Sequence, residues 1–290
     1  MSYFLLIIST LMATGKSVVF KKIGVESKSL RQFLRFNGLS FFVAAIIALA
    51  VFGFDIKRLV QLSPFSAVMA VFLALSVIVT YLSQIKALSL GNSSATMLIY
   101  SCGFLIPIVF GVVCYKELLS VADFFAVVLL IISLFLIVAP EKNTKLSFRW
   151  FWLSLIAMTG SGCTAVLQKI HQSSTFADEF MELSILEFII AAIVLNVLML
   201  LSPKAPQHRS LTKKEGAVGI VNGLFLGALN LLNLNLAGKL PAIILFPVYN
   251  IGSIILTGIF CTIIYKEKNT KTGIIGFVIG CISIMIIGIL

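Results

Sequence analysis

Apolar residues run along this chain in long blocks, and charged residues fall almost entirely in the short gaps between them. A helix that crosses a bilayer needs roughly 20 apolar residues, because about 30 Å of hydrocarbon must be covered at about 1.5 Å per residue. Ten blocks meet that need, at 2–23, 31–53, 66–87, 93–114, 121–139, 150–168, 182–201, 217–237, 242–264 and 272–290. Helix is the natural local structure for each, since lipid offers no partner to a free N–H or C=O. The gaps are too short for a soluble domain, so the pattern predicts an all-α polytopic membrane protein with ten transmembrane helices. Met1 to Gly15 has no preceding Lys or Arg and lacks the basic start of a signal peptide, so it is expected to belong to a mature first span.

Composition agrees with lipid as the solvent. Hydrophobic residues make up 60% of the 290 and charged residues 11%, and the mean hydropathy is +1.11. No single soluble core hides that much apolar surface, so the expected location is a cell membrane, plasma or inner, crossed many times. A net charge of +11 in a soluble chain would suggest nucleic acid. Here it fits loops held on the cytoplasmic face and against anionic lipid, and no nucleic-acid partner is expected. Cys102, Cys114, Cys163, Cys261 and Cys281 all lie inside blocks, odd in number and without metal-ligand spacing. Packing is their expected role, with neither disulfide nor zinc.

The chain also repeats itself. Tyr115-Lys116-Glu117 recurs as Tyr265-Lys266-Glu267 at a spacing of 150 residues, each time before the last block of its half. Ala87 corresponds to Ala237 in the same register, and Gly15 to Lys22 resembles Gly162 to Lys169. The repeat predicts two five-helix units, 1–140 and 141–290. Five crossings separate equivalent points, so the second unit enters the membrane inverted relative to the first. Inverted repeats recur in secondary transporters, with the substrate site near the midplane between the halves.

Tyr81, Ala87-Leu88, Gly91, Ser93, Ala95, Pro107 and Tyr115-Lys116-Glu117 resemble the fourth-helix region of the drug/metabolite transporter superfamily, and the EamA-type transporters in particular. Glu267, Thr272, Gly276 and Gly280 are similar to that family's closing pattern in the second half. The resemblance implies a ten-helix transporter, an exporter in type, that moves a small metabolite by alternating access through a central cavity. Two departures stand out. Thr14-Gly15-Lys16-Ser17 replaces the family's Trp-Gly in the first helix, and Ala126 occupies the position that Gly276 fills in the other half.

Polar side chains inside the blocks are the candidates for chemistry. Lys16 stands near the middle of the first block, where a cation costs at least about 2.5–3.5 kcal/mol. It is either a fixed positive charge in a central cavity, pairing with an anionic group of the substrate, or a side chain snorkelling toward the Lys22 end about 9 Å away. Glu187 is the carboxylate placed well inside a block, a candidate for taking up a proton during transport or for pairing near the interface. Asn222, Asn230, Asn233 and Asn235 share the block at 217–237, and the first three share one broad helical face. That face is suited either to lining a polar cavity or to bonding between helices. Asn230 and Asn233 are the preferred substrate contacts, with Tyr81, Tyr100 and Tyr249, and with Gln84 and Asn250 as further lining. Gly219, Gly223 and Gly227 recur at every fourth position and predict close helix packing, as do Gly276 and Gly280. Pro107 and Pro247 interrupt the fourth and ninth helices, as hinges or simply as shaping kinks.

Other polar residues are assigned blander roles. Glu117 and Glu267, beside Lys116 and Lys266, are expected to form local pairs that cap the next helix. Asp123, Asp178, Glu179 and Glu182 are expected at interfaces. His171 and His208 fall in gaps without ligand neighbours, and nothing resembles a nucleotide-binding loop, so no cofactor and no metal are expected.

Orientation draws two opposed expectations. The gaps after the odd-numbered blocks hold about 16 Lys or Arg against about five elsewhere (Lys57, Arg58, Lys116, Lys169 and Lys239), which places both termini outside by the positive-inside rule. The family resemblance implies both inside.

The function expected is secondary active transport of a small organic metabolite, such as an amino acid or another solute bearing a carboxylate or phosphate. The working unit is a monomer or homodimer in the lipid bilayer. The first block has no acidic residue, which argues against the carboxylate-driven cation exchange of small multidrug pumps. The alternatives are a polytopic enzyme acting on lipid-linked substrates, for which Asp178, Glu179 and Glu182 form the one acidic cluster, and a non-transporting receptor or assembly factor.

Overall fold

The computed structural model describes residues 1–23, 30–90, 93–137, 147–202, 213–265 and 271–289. Among them there is no strand; the elements are α1 (Ser2–Ile23), α2 (Leu30–Val51), a short α3 (Ile56–Val60), α4 (Pro64–Leu90), α5 (Ser93–Ser101), α6 (Leu105–Tyr115), α7 (Val121–Ile137), α8 (Phe148–Gln172), α9 (Phe180–Leu201), α10 (Lys213–Ala237), α11 (Ala242–Tyr265) and α12 (Lys271–Ile289). Over the described residues, each predicted block falls mainly on helix. The block at 93–114 is divided by the 3-10 turn Cys102–Phe104, and Pro107 then stands in the first turn of α6, where a missing N–H costs least. Among the described residues seven helical runs are long and apolar enough to cross a membrane, one of them Thr96–Tyr115, which takes in most of α5, the 3-10 turn and α6. Val121–Ile137 and Lys271–Ile287 are shorter apolar helices.

Local chemistry sets the helix starts. Ser63 Oγ accepts from the Ser66 N–H at 3.2 Å just before Pro64 opens α4. Ser147 Oγ accepts from the Trp150 N–H at 3.2 Å at the start of α8. At α7, Ser120 Oγ accepts from the Asp123 N–H at 3.0 Å while Asp123 Oδ2 accepts from the Ser120 N–H at 3.0 Å, a reciprocal capping box. Large apolar side chains such as Phe42, Phe72, Phe125, Phe135 and Ile193 are exposed on the flanks, as expected of a surface that meets lipid rather than water.

The helices pack mainly across the two halves. α1 lies on α10 and α11, α2 on α9 and α10, α4 on α8 and α9, α5 and α6 on α8, and α7 on α12. The glycine ridge of α10 faces α2: a Cβ at Gly223 would stand 2.5 Å from Ser40 O, and one at Gly227 3.3 Å from Ala44 O. At the other seam, a Cβ at Gly276 would come within 2.9 Å of Leu136 and Ile137 in α7, and Ser133 Oγ donates to Gly276 O at 2.7 Å.

Several expectations change. Lys169 and His171 are not gap residues: both are buried in the last turns of α8. Glu182 is not at a solvated interface but buried, paired with Arg58 at 2.9 Å. Glu117 does not pair with neighbouring Lys116 or cap the next helix. Lys116 adopts a left-handed conformation (φ 53°) and ends α6. That turn carries the Glu117 carboxylate to Lys169, at 2.7 Å, and to the first N–H of α11, at Ala242, 2.8 Å away. Lys266, Glu267, His208 and Gly91 lie outside the described residues.

Candidate functional site: a polar cavity between the halves

A cavity of about 250 Å³ lies among α1, α2, α4, α5, α8, α9, α10 and α11. It is walled partly by apolar groups such as Phe41, Phe188 and Phe246. The structure brings to it every polar residue favoured as a substrate contact: Lys16, Tyr81, Tyr100, Asn230, Asn233 and Tyr249. Glu187 and Asn250 join them.

Helix geometry explains the selection. Asn230 and Asn233 are three residues apart on α10 and so share a face. Asn222 lies two turns earlier and instead donates to Ser40 Oγ of α2 at 3.0 Å, as an interhelical bond. Asn235 points elsewhere and accepts from Lys239 at 2.6 Å. Gln84 also lies off the cavity, bonded to Met97 Sδ at 3.4 Å.

The lining is organised by hydrogen bonds. Gln168 Nε2 donates to Asn230 Oδ1 at 2.7 Å, and Asn230 Nδ2 donates to Glu187 Oε2 at 3.1 Å. This chain fixes the Asn230 amide with its donor toward the carboxylate. Ser9 Oγ donates to Asn233 Oδ1 at 2.7 Å, which leaves the Asn233 NH₂ toward Tyr249, its hydrogen-bonding neighbour. Ser161 is the corresponding neighbour of Tyr100. Lys16 makes no ion pair among the described residues, so the cavity holds a cation and a carboxylate that do not neutralise each other directly.

Gln168, Ser161 and Thr164 were not expected in the lining. The signal was present in Gln168, an amide inside an apolar block, but its place at the block's edge made it resemble a helix end. Ser161 and Thr164 give no such signal, because a hydroxyl in a span normally bonds its own helix backbone; Thr164 Oγ1 indeed donates to Gly160 O at 3.0 Å.

Comparison with known proteins bears on the class and the fold of the chain. Residues 1–139 match the model of the EamA-like transporter family. The resemblance to the drug/metabolite transporter superfamily is borne out over those residues, and the match supports a multi-pass membrane transporter of that superfamily. Among solved structures, 28 chains are similar. One of them, described only as the crystal structure of a protein, is 11% identical, with a TM-score of 0.79 over 99% of this chain and 98% of that one. At that identity the likeness speaks for the fold alone. No curated protein matches. The EamA-like half supplies Lys16, Tyr81 and Tyr100 to the cavity, and the remainder of the chain supplies Gln168, Glu187, Asn230, Asn233 and Tyr249.

Proposed function

We propose that the protein is a secondary active transporter, an exporter in type, of a small organic metabolite bearing a carboxylate or phosphate, such as an amino acid. The observation that carries the reading is the cavity: a space between the helices of an apolar protein that gathers Lys16, Glu187, Asn230, Asn233 and Tyr249. Polar and ionisable groups gathered in a membrane interior are costly and are kept where they meet a solute or a proton. Lys16 receives the anionic group, the asparagines and tyrosines orient the remainder, and Glu187 is the proton-coupling group. A volume of about 250 Å³ suits a small metabolite rather than a peptide or lipid.

Alternating access follows from two five-helix repeats, 1–140 and 141–290, ten crossings in all, the second inverted. The packing supports this. Exchanging the halves sends the α1–α11 pair to the contact of α5 and α6 with α8, the α1–α10 pair to α8–α4, and α2–α10 to α9–α4, while α2–α9 and α7–α12 map onto themselves. A pattern that survives exchange of the halves offers two states related by a pseudo-two-fold axis at similar energy.

The test is thermal stability of the detergent-solubilised protein against amino acids, nucleosides, sugars, phosphates and organic cations, with Lys16→Ala in parallel. A ligand at a hundredfold excess over its dissociation constant adds about 2.7 kcal/mol. Anionic or zwitterionic solutes are expected to raise the melting temperature of the parent and not of the variant. An equal response in both would remove Lys16 from the site, and silence across the panel would sink the transporter reading.

A further inference from the structure

We infer that Glu117, Lys169 and the first turn of α11 form a latch that closes one end of the cavity and must part for solute to pass there. Lys169 Nζ lies 2.7 Å from Glu117 Oε1 and donates to Leu240 O at 2.9 Å, while the Ala242 N–H donates to Glu117 Oε2 at 2.8 Å. These groups come from the turn after α6, the last turns of α8 and the turn joining α10 to α11. One ion pair therefore ties both halves of the chain together. Its side chains are 10% and 14% exposed, so neither charge has much water in the closed state.

The latch adjoins the cavity along two helices. Gln168 lines it, and Lys169 is the next residue of α8; Leu245 and Phe246 line it, about one turn beyond Ala242 on α11. Leu240, Ala242, Ile243, Leu245 and Phe246 belong to one buried apolar cluster with Leu98 and Phe104, which serves as the plug of the proposed latch. Two other polar ties stand at the same end of the bundle. Ser66 Oγ lies 3.0 Å from His171 Nε2, joining the start of α4 to the end of α8; Arg58 pairs with Glu182 near the start of α9.

The chemistry suits a switch. An apolar plug alone resists water at every degree of opening. A buried charge pair is different: when both partners separate together into water, each recovers its hydration, so the open state strands no charge. Closed, the pair and its two backbone bonds hold the start of α11 in place. Parted, they release the segment that carries Leu245, Phe246 and Tyr249 along the cavity wall. Such an element has two discrete arrangements rather than a continuous range.

The inference rests on the transporter reading for its purpose, but its test needs no substrate. In a background with the five cysteines replaced by alanine, Ala165→Cys places a thiol on the cavity lining. Leu118→Cys, at a residue 93% exposed beside Glu117, marks the latched face in a separate control. Membrane vesicles of known sidedness are treated with a membrane-impermeant maleimide from each face. The Ala165→Cys parent is expected to react at least tenfold more slowly from the Leu118 face than from the other. Glu117→Gln and Lys169→Met are each expected to raise that slow rate at least tenfold, while Lys169→Arg, which keeps the charge and donors, stays within threefold of the parent.

Parent-like rates in both neutral variants overturn the latch, as does an equal opening by Lys169→Arg and Lys169→Met. Should a neutral variant aggregate, Glu117→Asp decides: an intermediate rate supports the latch and the parent's rate overturns it. Opened labelling with no ligand on the stability panel sinks the transporter reading alone. A ligand found with unchanged labelling sinks the latch alone.

Discussion

At the scale of single residues, the main surprise is how far a side chain's role depends on one backbone torsion. Lys116 sits at φ 53° and is exposed, a conformation that costs a non-glycine residue about 1–2 kcal/mol. The left-handed turn swings Glu117 inward to Lys169 and Ala242 instead of leaving it beside Lys116. Lys116→Gly is therefore expected to keep the latch and to raise stability by up to about 1 kcal/mol, since relief of strain is partly offset by glycine's freedom in the unfolded chain. Thermal melting in detergent reads this directly; a clear fall would mean that the lysine side chain itself holds the turn. The repeated tripeptide advertised the importance of Glu117, but nothing local in the sequence names Lys169 as its partner.

At the scale of elements, α10 combines two faces that the sequence had already separated by type. Its small residues approach α2, and its amides at 230 and 233 meet the cavity. Gly223→Ala would set a Cβ 2.5 Å from the Ser40 carbonyl oxygen, backbone that cannot turn aside, and overpacking of this kind costs about 1–3 kcal/mol. Gly216 has open space around the added atom, so Gly216→Ala should be neutral or stabilising by up to about 1 kcal/mol from helix propensity. Paired melting curves of the two variants check the contrast, and equal destabilisation would remove the close-packing account of the ridge. Asn222 shows the limit of pattern reading: helical spacing put it on the same broad face as Asn230 and Asn233, yet it bonds Ser40. A face defined over several turns is wide enough to touch two neighbours.

At the scale of the whole molecule, the proposed mechanism depends on how the helices cross. In the proposed arrangement of ten crossings, Met1 and the turn at Leu118 lie on one face and the start of α10 at Lys213 on the other. Single cysteines at Leu118 and at Lys213, both exposed, are expected to react with an impermeant thiol reagent from opposite faces of sealed vesicles. Reaction from a common face would break the inverted arrangement and, with it, alternating access by exchange of the halves. The same labelling settles the opposed expectations about the termini. Lys169 no longer counts in that tally, because it is buried inside α8 rather than held in a loop.

The positions of the helices and their lipid environment were determined by the sequence alone, because a span is a local decision: each block must satisfy its own backbone and match the hydrocarbon thickness by itself. The same is true of the residue types at the cavity, since Lys16, Glu187, Asn230 and Asn233 are conspicuous wherever an apolar block contains them. Which of these groups meet was decided only by the tertiary structure. The rotation and depth of each helix are set by contacts between halves, such as Gly223 against Ser40, and those contacts place Gln168 on Asn230, Asn230 on Glu187 and Glu117 on Lys169. Distant partners are chosen by packing, and packing has no signature within any one block.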